Sequence, residues 1–504
     1  MSEPVQPPDP DRRRFFRQFA GEVVTSVGSM MGAAQTLQET SAEAARELLG
    51  GPPATATTQA AGVMQTTAAS RTGGASSLTT AGAELDASTA GWRAPFRWDG
   101  DVCRIVDQRR LPDVLVELEL RGSADTVGAI NDGALAGSAA QAQVAAVTLA
   151  MVAAKAAGSR AHARRATIRG AARALRLTRP GSAAMAATLD RMLALLETAG
   201  LETPGDEVAA ALHAEAEQII GEATEDHGAV VGHAITTLPG GAEDPLRVLV
   251  AGSTGAMGGG QFGTALSAVQ TVHHAGRPIH VLVPEGRPGL EGSRVAAWEL
   301  RQAGVSHAVV TDAAAPGRIA AGEVEAVLVG ADRICANGDV IATVGAYPLA
   351  LACAASGTAF IVCAATTSID LETARGTDVT LEEGRPTLVL RAAGTRVAPE
   401  GTGVRNPLQD LVPAALVTSI VTETGVLHAP YGAPLASAVA TASAKRSTAP
   451  GFAALLARRE AAAAGDAVAA GVPEGVPGGA SEAALIREPV DVAALRNPRR
   501  EPGA

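Results

Sequence analysis

Two acidic residues and an arginine follow one short apolar segment of this chain. The segment is residues 324–329, and Gly330, Asp332, Arg333 and Asp339 come after it. Carboxylates in such a place could transfer protons, accept hydrogen bonds from sugar hydroxyls or bind a metal ion. Alternatively, Asp332 could cap a following helix, because Asp is a preferred N-cap residue. The adjoining arginine and the second carboxylate favour ligand binding or catalysis.

Four further apolar runs predict how this segment folds. They are separated by helix-length stretches rich in Ala, Leu and Glu, and they lie at residues 247–250, 279–283, 308–310 and 359–363. Such alternation predicts an α/β fold with a doubly wound parallel sheet covered by helices on both faces. The loops after parallel strands share one crevice, where ligands bind. We therefore expect the polar loops 253–264, 284–294 and 332–339, with Asp312, to meet there.

The loop at residues 253–264 is rich in glycine and leads into a helix at about Thr264. Its backbone amides and the helix start predict an anion site. A flexible glycine linker is the alternative interpretation. Glu285 after the second strand suggests a nicotinamide-dependent dehydrogenase as a further alternative. The glycines lack G-x-G-x-x-G spacing, which argues against that enzyme class.

Composition limits the function classes. A net charge of −11 and an aromatic content of 2% argue against a nucleic-acid-binding protein. The four cysteines are too few for a disulfide framework and lack metal-ligand spacing, which indicates a reducing, cytoplasmic location. No apolar run predicts a membrane span. We expect neither a metal ion nor a cofactor, since the histidines are not spaced as ligands either.

Shifts in composition divide the chain into four parts. Residues 1–95 predict a helical segment and an Ala/Thr/Gly-rich linker, partly disordered, and residues 96–235 a smaller helical domain. Residues 236–432 predict a Rossmann-like α/β domain, and residues 433–504 a mostly disordered Ala/Gly/Pro-rich tail. The arginines near residue 12 imitate an export signal, but the apolar spacing that follows favours an amphipathic helix that docks on a protein partner or on the body.

Several motifs together resemble one known family. From about residue 98 to 428, the chain resembles methylthioribose-1-phosphate isomerase and the regulatory subunits of eukaryotic translation initiation factor 2B. The resemblance rests on Trp98-Asp99-Gly100, Thr178-Arg179-Pro180, the glycine loop, the Gly330 to Arg333 motif and Arg405-Asn406-Pro407. It implies a Rossmann-like domain after a helical domain, a homodimer, and a ligand that is a phosphorylated sugar or derives from a nucleoside.

The resemblance also implies a set of site residues. The isomerases convert an aldose 1-phosphate into the ketose 1-phosphate, using a cysteine and the aspartate of the Gly-Ala-Asp-Arg motif. Asp332 matches this aspartate, but Gly252 stands at the position of the cysteine. The implied substrate-binding residues are Asp132, Gly133, Ala134, Arg179, Glu291, Ala342 and Thr343.

Most of these substrate contacts have changed. Asp132 replaces an arginine, Ala342 and Thr343 replace an Asn-Lys pair, and Glu291 replaces a glutamine. Charge-assisted hydrogen bonds contribute about 1.5–3 kcal/mol each, so phosphate binding at this set should be weakened by several kcal/mol.

Two functions are consistent with these changes. In the first, the protein is still an aldose-ketose isomerase with an altered, less anionic substrate. Asp332 is then the general acid/base, and Ser253 or Cys335 compensates for the lost thiol, although an unpaired cysteine usually fills space in a core. In the second, catalysis is lost and the fold serves as a binding or assembly module, as in the initiation-factor subunits.

Overall fold

The computed structural model describes residues 80–81, 94–241, 244–392, 394–446 and 457. All of them belong to one compact unit, Met1–Ala457, and a second unit, Arg458–Ala504, lies outside the described residues. The amphipathic helix predicted after the arginines near residue 12 also lies outside them, as do most of the predicted linker and tail.

An antiparallel sheet precedes the helices of the first domain. Its strands are β1 (Thr80–Ala81), β2 (Phe96–Asp99), β3 (Val102–Val106) and β4 (Glu117–Leu120), in the order β1-β4-β3-β2. The segment after residue 96 was expected to be helical, and for these strands that expectation is wrong. Asp99-Gly100 is a hairpin signal, with Gly100 at φ 54°, and the β-branched residues of β3 favour a strand.

Five helices follow in the described chain, and the second forms the centre of this layer. They are α1 (Ser123–Asn131), α2 (Ser138–Ala156), α3 (Ala161–Thr178), α4 (Ala183–Ala199) and α5 (Gly205–Ile235). Helix α2 packs against α3, α4 and α5. Among the described residues, α2 alone is long and apolar enough to cross a membrane, although the sequence predicts no such segment. The apolar window of α2 that meets this criterion is 83% buried, so its apolar surface packs in the protein core.

The remaining strands and helices build the second layer. The strands are β5 (Leu246–Ala251), β6 (Ile279–Pro284), β7 (Ser306–Val310), β8 (Ala326–Val329), β9 (Arg333–Cys335), β10 (Val340–Thr343), β11 (Ala359–Cys363), β12 (Ile369–Asp370), β13 (Arg391–Ala392), β14 (Thr395–Arg396), β15 (Gln409–Val412), β16 (Ser419–Thr422) and β17 (Gly425–Leu427). The helices are α6 (Ala256–Gly259), α7 (Ala265–His274), α8 (Ala297–Gln302), α9 (Ala315–Ala320), α10 (Ala346–Ser356), α11 (Thr387–Leu390) and α12 (Gly432–Lys445). A π-helical turn, Gly292–Ala296, leads into α8.

The main sheet confirms the predicted fold class. Its order is β17-β16-β11-β8-β5-β6-β7, and every pair is parallel except β16-β17. Apolar residues of the central strands are buried on both faces, under α5 and α7 on one side and α10 on the other. This double burial explains why the strands read as continuous apolar runs.

The segment after β8 forms a strand rather than a helix. Strand β9 starts at Arg333 and belongs to a small sheet of order β12-β9-β10-β15. The backbone amide of Asp332 donates to the carbonyl of Ile341 at 2.9 Å. Asp332 is therefore not a helix N-cap, and its side chain is available for another role.

Helix α12 extends the folded body past residue 432. Leu435, Ala438 and Ala442 are buried along one side of this helix. Their spacing of three and four residues is that of a helix with one buried face. Composition places the start of the tail at residue 433, which is too early by at least this helix.

Gly137 shows how closely the two layers approach each other. It precedes α2 with φ 92°, and a Cβ atom there would overlap the backbone of Gly258 in the glycine loop. We expect Gly137→Ala to lower the free energy of unfolding by about 2–4 kcal/mol, because it combines a strained φ with a clash against backbone. Urea denaturation measures this change. Gly128→Ala within α1, where no atom lies within 4 Å, is the control and should be neutral or slightly stabilising.

Candidate functional site

A cavity of about 1100 Å³ lies between the helical layer and the carboxyl ends of β5, β6, β8 and β11. Residues of the loops 253–264 and 284–294 line it, together with Asp312 and Asp332. Residues 333–339 do not line it. Its floor consists of strand ends and its roof of the first turn of α2 and the segment after α3, so groups from both layers face one ligand-sized space.

Asp332 is held at the wall of this cavity by three side-chain donors. The hydroxyl of Ser138 donates to Oδ1, while Arg179 Nη2 at 2.8 Å and Gln409 Nε2 at 2.5 Å donate to Oδ2. The side chain of Asp332 is 15% exposed. An ionised carboxylate accepts about four hydrogen bonds, so one acceptor position, on Oδ1, remains for a ligand. The carboxylate is thus both fixed in orientation and able to take part in proton transfer.

Arg179 uses three of its five N–H donors within the protein. Its Nε donates to Glu382 at 2.8 Å, Nη1 to Gln141 at 2.7 Å and Nη2 to Asp332 at 2.8 Å. Glu382 also accepts the amide of Gly181 at 3.0 Å, and its burial raises the pKa of its carboxyl group. One guanidinium therefore faces two carboxylates, which offset its positive charge.

The two other charged residues of the motif have structural contacts. Arg333 donates to Asp370 and to the carbonyls of Pro180 and Gly181, which ties β9 to the helical layer. Asp339 accepts the amides of Gly376 and Ala414, both at 3.0 Å. Burial alone would raise the pKa of Asp339, but these hydrogen bonds and one from Asn337 lower it. Asp332 is the member of the motif that faces the cavity.

The predicted substrate-binding residues are placed unequally. Those that line the cavity are Asp132, Gly133, Arg179, Glu291, Ala342 and Thr343. Ala134 does not line it, because its side chain is fully buried in the core of the helical layer while its carbonyl accepts the amide of Gln108 at 3.0 Å. The prediction for Ala134 is wrong for this reason.

Asp132 is paired with two arginines that are not among the predicted site residues. Arg385 Nη1 lies 3.0 Å from Asp132 Oδ1, and Arg109 Nη1 lies 3.9 Å from Oδ2. Arg109 itself forms a two-point ion pair with Asp107. The carboxylate of Asp132 therefore pairs with Arg385 and Arg109. An arginine at position 132 could not form these pairs.

Gly252 has a left-handed backbone conformation, with φ 85°. A Cβ atom there would lie 3.3 Å from the hydroxyl oxygen of Thr343. Ser253 lines the cavity, but its hydroxyl has no base partner within the described chain. Ser253 therefore does not replace the missing thiol, because it lacks the neighbouring base that usually activates a serine.

The cysteines do not replace the thiol either. Cys335 is fully buried away from the cavity, and burial raises its pKa to about 11. Cys363, at the end of β11, does line the cavity, but burial raises its pKa to about 12. A thiol with so high a pKa is a poor nucleophile or base.

The glycine loop is tightly bonded and does not form the predicted anion site. The amide of Ala256 donates to Glu299 at 2.8 Å, and that of Leu266 to the hydroxyl of Thr254 at 3.3 Å. The amide of Gly263 is bound by Ser267 at 3.0 Å. The protein's own carboxylate at Glu299 thus occupies the place that the sequence suggested for a bound anion, and the loop is not a flexible linker.

The buried position of Glu299 predicts that the free energy of unfolding depends on pH. Burial raises its pKa from 4.5 to about 7. Because the folded pKa lies above the unfolded one, its contribution is most favourable below about pH 4.5 and is lost as the pH rises to about 7. The loss amounts to roughly 3 kcal/mol. Urea denaturation of wild type and Glu299→Gln at about pH 5 and pH 8 should show a smaller decrease in the variant. Asp226, whose pKa is also about 7, contributes to the pH dependence that remains, as do Glu291 and Glu382, whose pKa values are also raised by burial.

His227 supports the glycine loop from α5. Its Nδ1 donates to the carbonyl of Phe262 at 2.7 Å, and burial lowers its pKa. His227 lines the cavity, and Nε2 is the acceptor atom of its neutral ring.

Several residues of the site were not predicted from the sequence: Ser138, Gln141, His227, Arg287, Arg294, Glu382 and Gln409. Arg287 and Arg294 lie in the loop 284–294, which the sequence places in the crevice, although neither was named as a site residue. Glu382 and Gln409 come from distant loops, and no local pattern marks them.

Relatives confirm the resemblance. The model of the initiation factor 2 subunit family matches residues 134–429. A methylthioribose-1-phosphate isomerase of Chloroflexus aurantiacus is 36% identical over 338 residues, which are 67% of this chain and 96% of the relative. That of Anaeromyxobacter dehalogenans is 38% identical over 342 residues, 68% of this chain and 95% of the relative.

Solved structures agree with these relatives. The 5-methylthioribose 1-phosphate isomerase of Pyrococcus horikoshii OT3 superimposes with a TM-score of 0.61 at 29% identity, covering 69% of this chain and 96% of that chain. The delta subunit of translation initiation factor eIF-2B from A. fulgidus gives a TM-score of 0.58 at 28% identity, covering 69% and 99%. The chain therefore belongs to the initiation factor 2 subunit family.

Proposed function

We propose that this protein is an aldose-ketose isomerase of the methylthioribose-1-phosphate isomerase type with an altered sugar substrate. The observation that carries the proposal is the Asp332 carboxylate, fixed at the cavity wall with one acceptor position open. Aldose-ketose conversion moves hydrogen between adjacent carbons, and a positioned carboxylate is a suitable group for that proton transfer.

The relatives and the cavity support this proposal in different ways. Relatives named as the isomerase are matched over 96% of their length, so the chain contains the whole region that they share. The cavity of about 1100 Å³ is large enough for a substituted pentose phosphate. The drift at Asp132, Glu291, Ala342 and Thr343 supports a substrate that differs from that of the relatives.

The test is an isomerase assay with the full chain. Purified protein is incubated with methylthioribose 1-phosphate and with related pentose phosphates, and ketose formation is followed. Turnover of at least one aldose phosphate is expected. If none is converted and none raises the melting temperature, the proposed function is wrong.

A binding or assembly module is the second candidate, and Gly252 is the observation that favours it. The glycine replaces the family cysteine in a left-handed conformation that side chains adopt only with strain. Under this alternative, a sugar phosphate raises the melting temperature but is not converted. The same assay, run beside a thermal shift measurement, separates the two functions.

A further inference from the structure

The residues that would bind phosphate by resemblance provide no free positive charge in this chain. The charge of Arg179 is offset by its ion pairs with Glu382 and Asp332. Asp132 and Glu291 are acidic, and Ala342 and Thr343 are uncharged. A dianionic phosphate placed among them would meet carboxylates rather than cations. Its binding group must therefore be sought on another wall of the cavity.

Two arginines that line the cavity after β6 form no ion pair with any described residue. Arg287 donates one hydrogen bond, from Nη2 to the carbonyl of Leu388 at 2.9 Å. Arg294 is half-buried, and in the part of the chain that the structure describes its guanidinium has neither an ion pair nor a side-chain hydrogen bond. A guanidinium at a cavity wall that makes no ion-pair contact with a carboxylate favours an anionic ligand, since arginine forms two-point hydrogen bonds with phosphate oxygens.

The segment that carries these arginines is fixed before any ligand binds. Asp312 accepts the amides of Gly286 at 2.9 Å and Arg287 at 2.7 Å. Leu290 has φ 62°, a conformation that is costly for a leucine, and the π-helical turn begins two residues later. Left-handed non-glycine residues and π-helical turns both occur often at functional sites. The segment is thus preorganised, which lowers the entropic cost of ligand binding.

We propose that Arg287 and Arg294 form the phosphate-binding group of this cavity, and that they bind the phosphate of a phosphorylated sugar in place of the family's usual contacts. The proposal rests on the proposed function in taking the cavity as a sugar-phosphate site. It places the phosphate beside the loop after β6, whereas Asp332 lies at the end of β8. The substrate is therefore a sugar phosphate whose phosphate reaches Arg287 and Arg294 while its reacting carbons lie at Asp332.

The carboxyl group of Glu291 interacts electrostatically with Arg294. Burial raises the pKa of its carboxyl, while the charges of Arg294 and Arg179 act in the opposite direction. An ionised Glu291 would repel a phosphate on Arg294. Glu291→Gln, which restores the amide that the family has here, should therefore tighten phosphate binding.

The test measures binding rather than turnover, by isothermal titration of the full chain. The probes are inorganic phosphate, ribose 5-phosphate and unphosphorylated ribose, and the variants are Arg294→Gln and Glu291→Gln. Arg301→Gln is the matched control, because Arg301 lies exposed on α8, outside the cavity. We expect Arg294→Gln to raise the Kd of both phosphate compounds about tenfold or more and Arg301→Gln to change it less than about twofold.

The outcomes separate this inference from the proposed function. An unchanged Kd in Arg294→Gln, in a protein that still converts an aldose phosphate, overturns the inference and leaves the isomerase proposal intact. Conversely, Arg294-dependent binding of phosphate without any turnover supports the inference and contradicts the isomerase proposal.

Discussion

Asp332→Asn should lower kcat for the aldose phosphate that the protein converts by about 10²- to 10⁴-fold, the usual contribution of a general acid or base. Asparagine keeps the shape of the side chain but does not exchange a proton. Arg179 keeps its second partner, Glu382, so the folded structure should persist. Steady-state kinetics of both proteins, with circular dichroism to check folding, measure the effect. Turnover that persists in Asp332→Asn would show that another group transfers the proton.

Asp339→Asn is the control within the same motif. Asp339 does not face the cavity, and it holds the backbone at Gly376 and Ala414. Losing the charge should weaken those two hydrogen bonds and lower the free energy of unfolding by about 1–3 kcal/mol, with kcat little changed. The pair of variants thus separates a kinetic role from a structural one. Equal kinetic effects in both would point to a general disturbance of the loop.

The sheet could be predicted from the sequence because its strands are buried on both faces. Apolar runs such as residues 279–283 and 359–363 leave no polar face to confuse the pattern, and β6 and β11 have nearly those bounds. The hairpin of β2 and β3 was not predicted although Asp99-Gly100 marks its turn, because its strands have only four and five residues and long helices follow them. Strand β9 was also missed, since three residues are too few to show a period.

The site could be predicted only in part, because its contacts join residues far apart in the chain. The position of Asp332 after a strand placed it in the crevice correctly. Its partners Ser138, Arg179 and Gln409 lie 194, 153 and 77 residues away. Such pairings depend on how the two layers pack, which no local pattern encodes. The same holds for Glu299, whose carboxylate takes the position predicted for a bound anion.

Arg179→Met should have the largest effect on stability, because it leaves two carboxylates facing each other without their cation. The side chains of Arg179 and Glu382 are 18% and 8% exposed. Removing one partner of a buried ion pair costs about 3–5 kcal/mol. Urea denaturation at neutral pH measures this loss. Arg385→Met, which removes a largely exposed pair with Asp132, is the control and should cost no more than about 1 kcal/mol.

The pH dependence of that loss tests its electrostatic origin. The pKa of Glu382 is already raised by burial, and losing the Arg179 charge raises it further. Since the folded pKa then lies above the unfolded one, Glu382 stabilises the variant at low pH and ceases to do so as the pH rises through the folded pKa. The difference in stability between wild type and Arg179→Met should therefore widen with rising pH. The double variant Arg179→Met/Glu382→Gln should recover part of the stability at high pH, because it removes one of the two unpaired charges. A difference independent of pH, with no recovery in the double variant, would mean that Arg179 stabilises the protein by packing rather than by its charge.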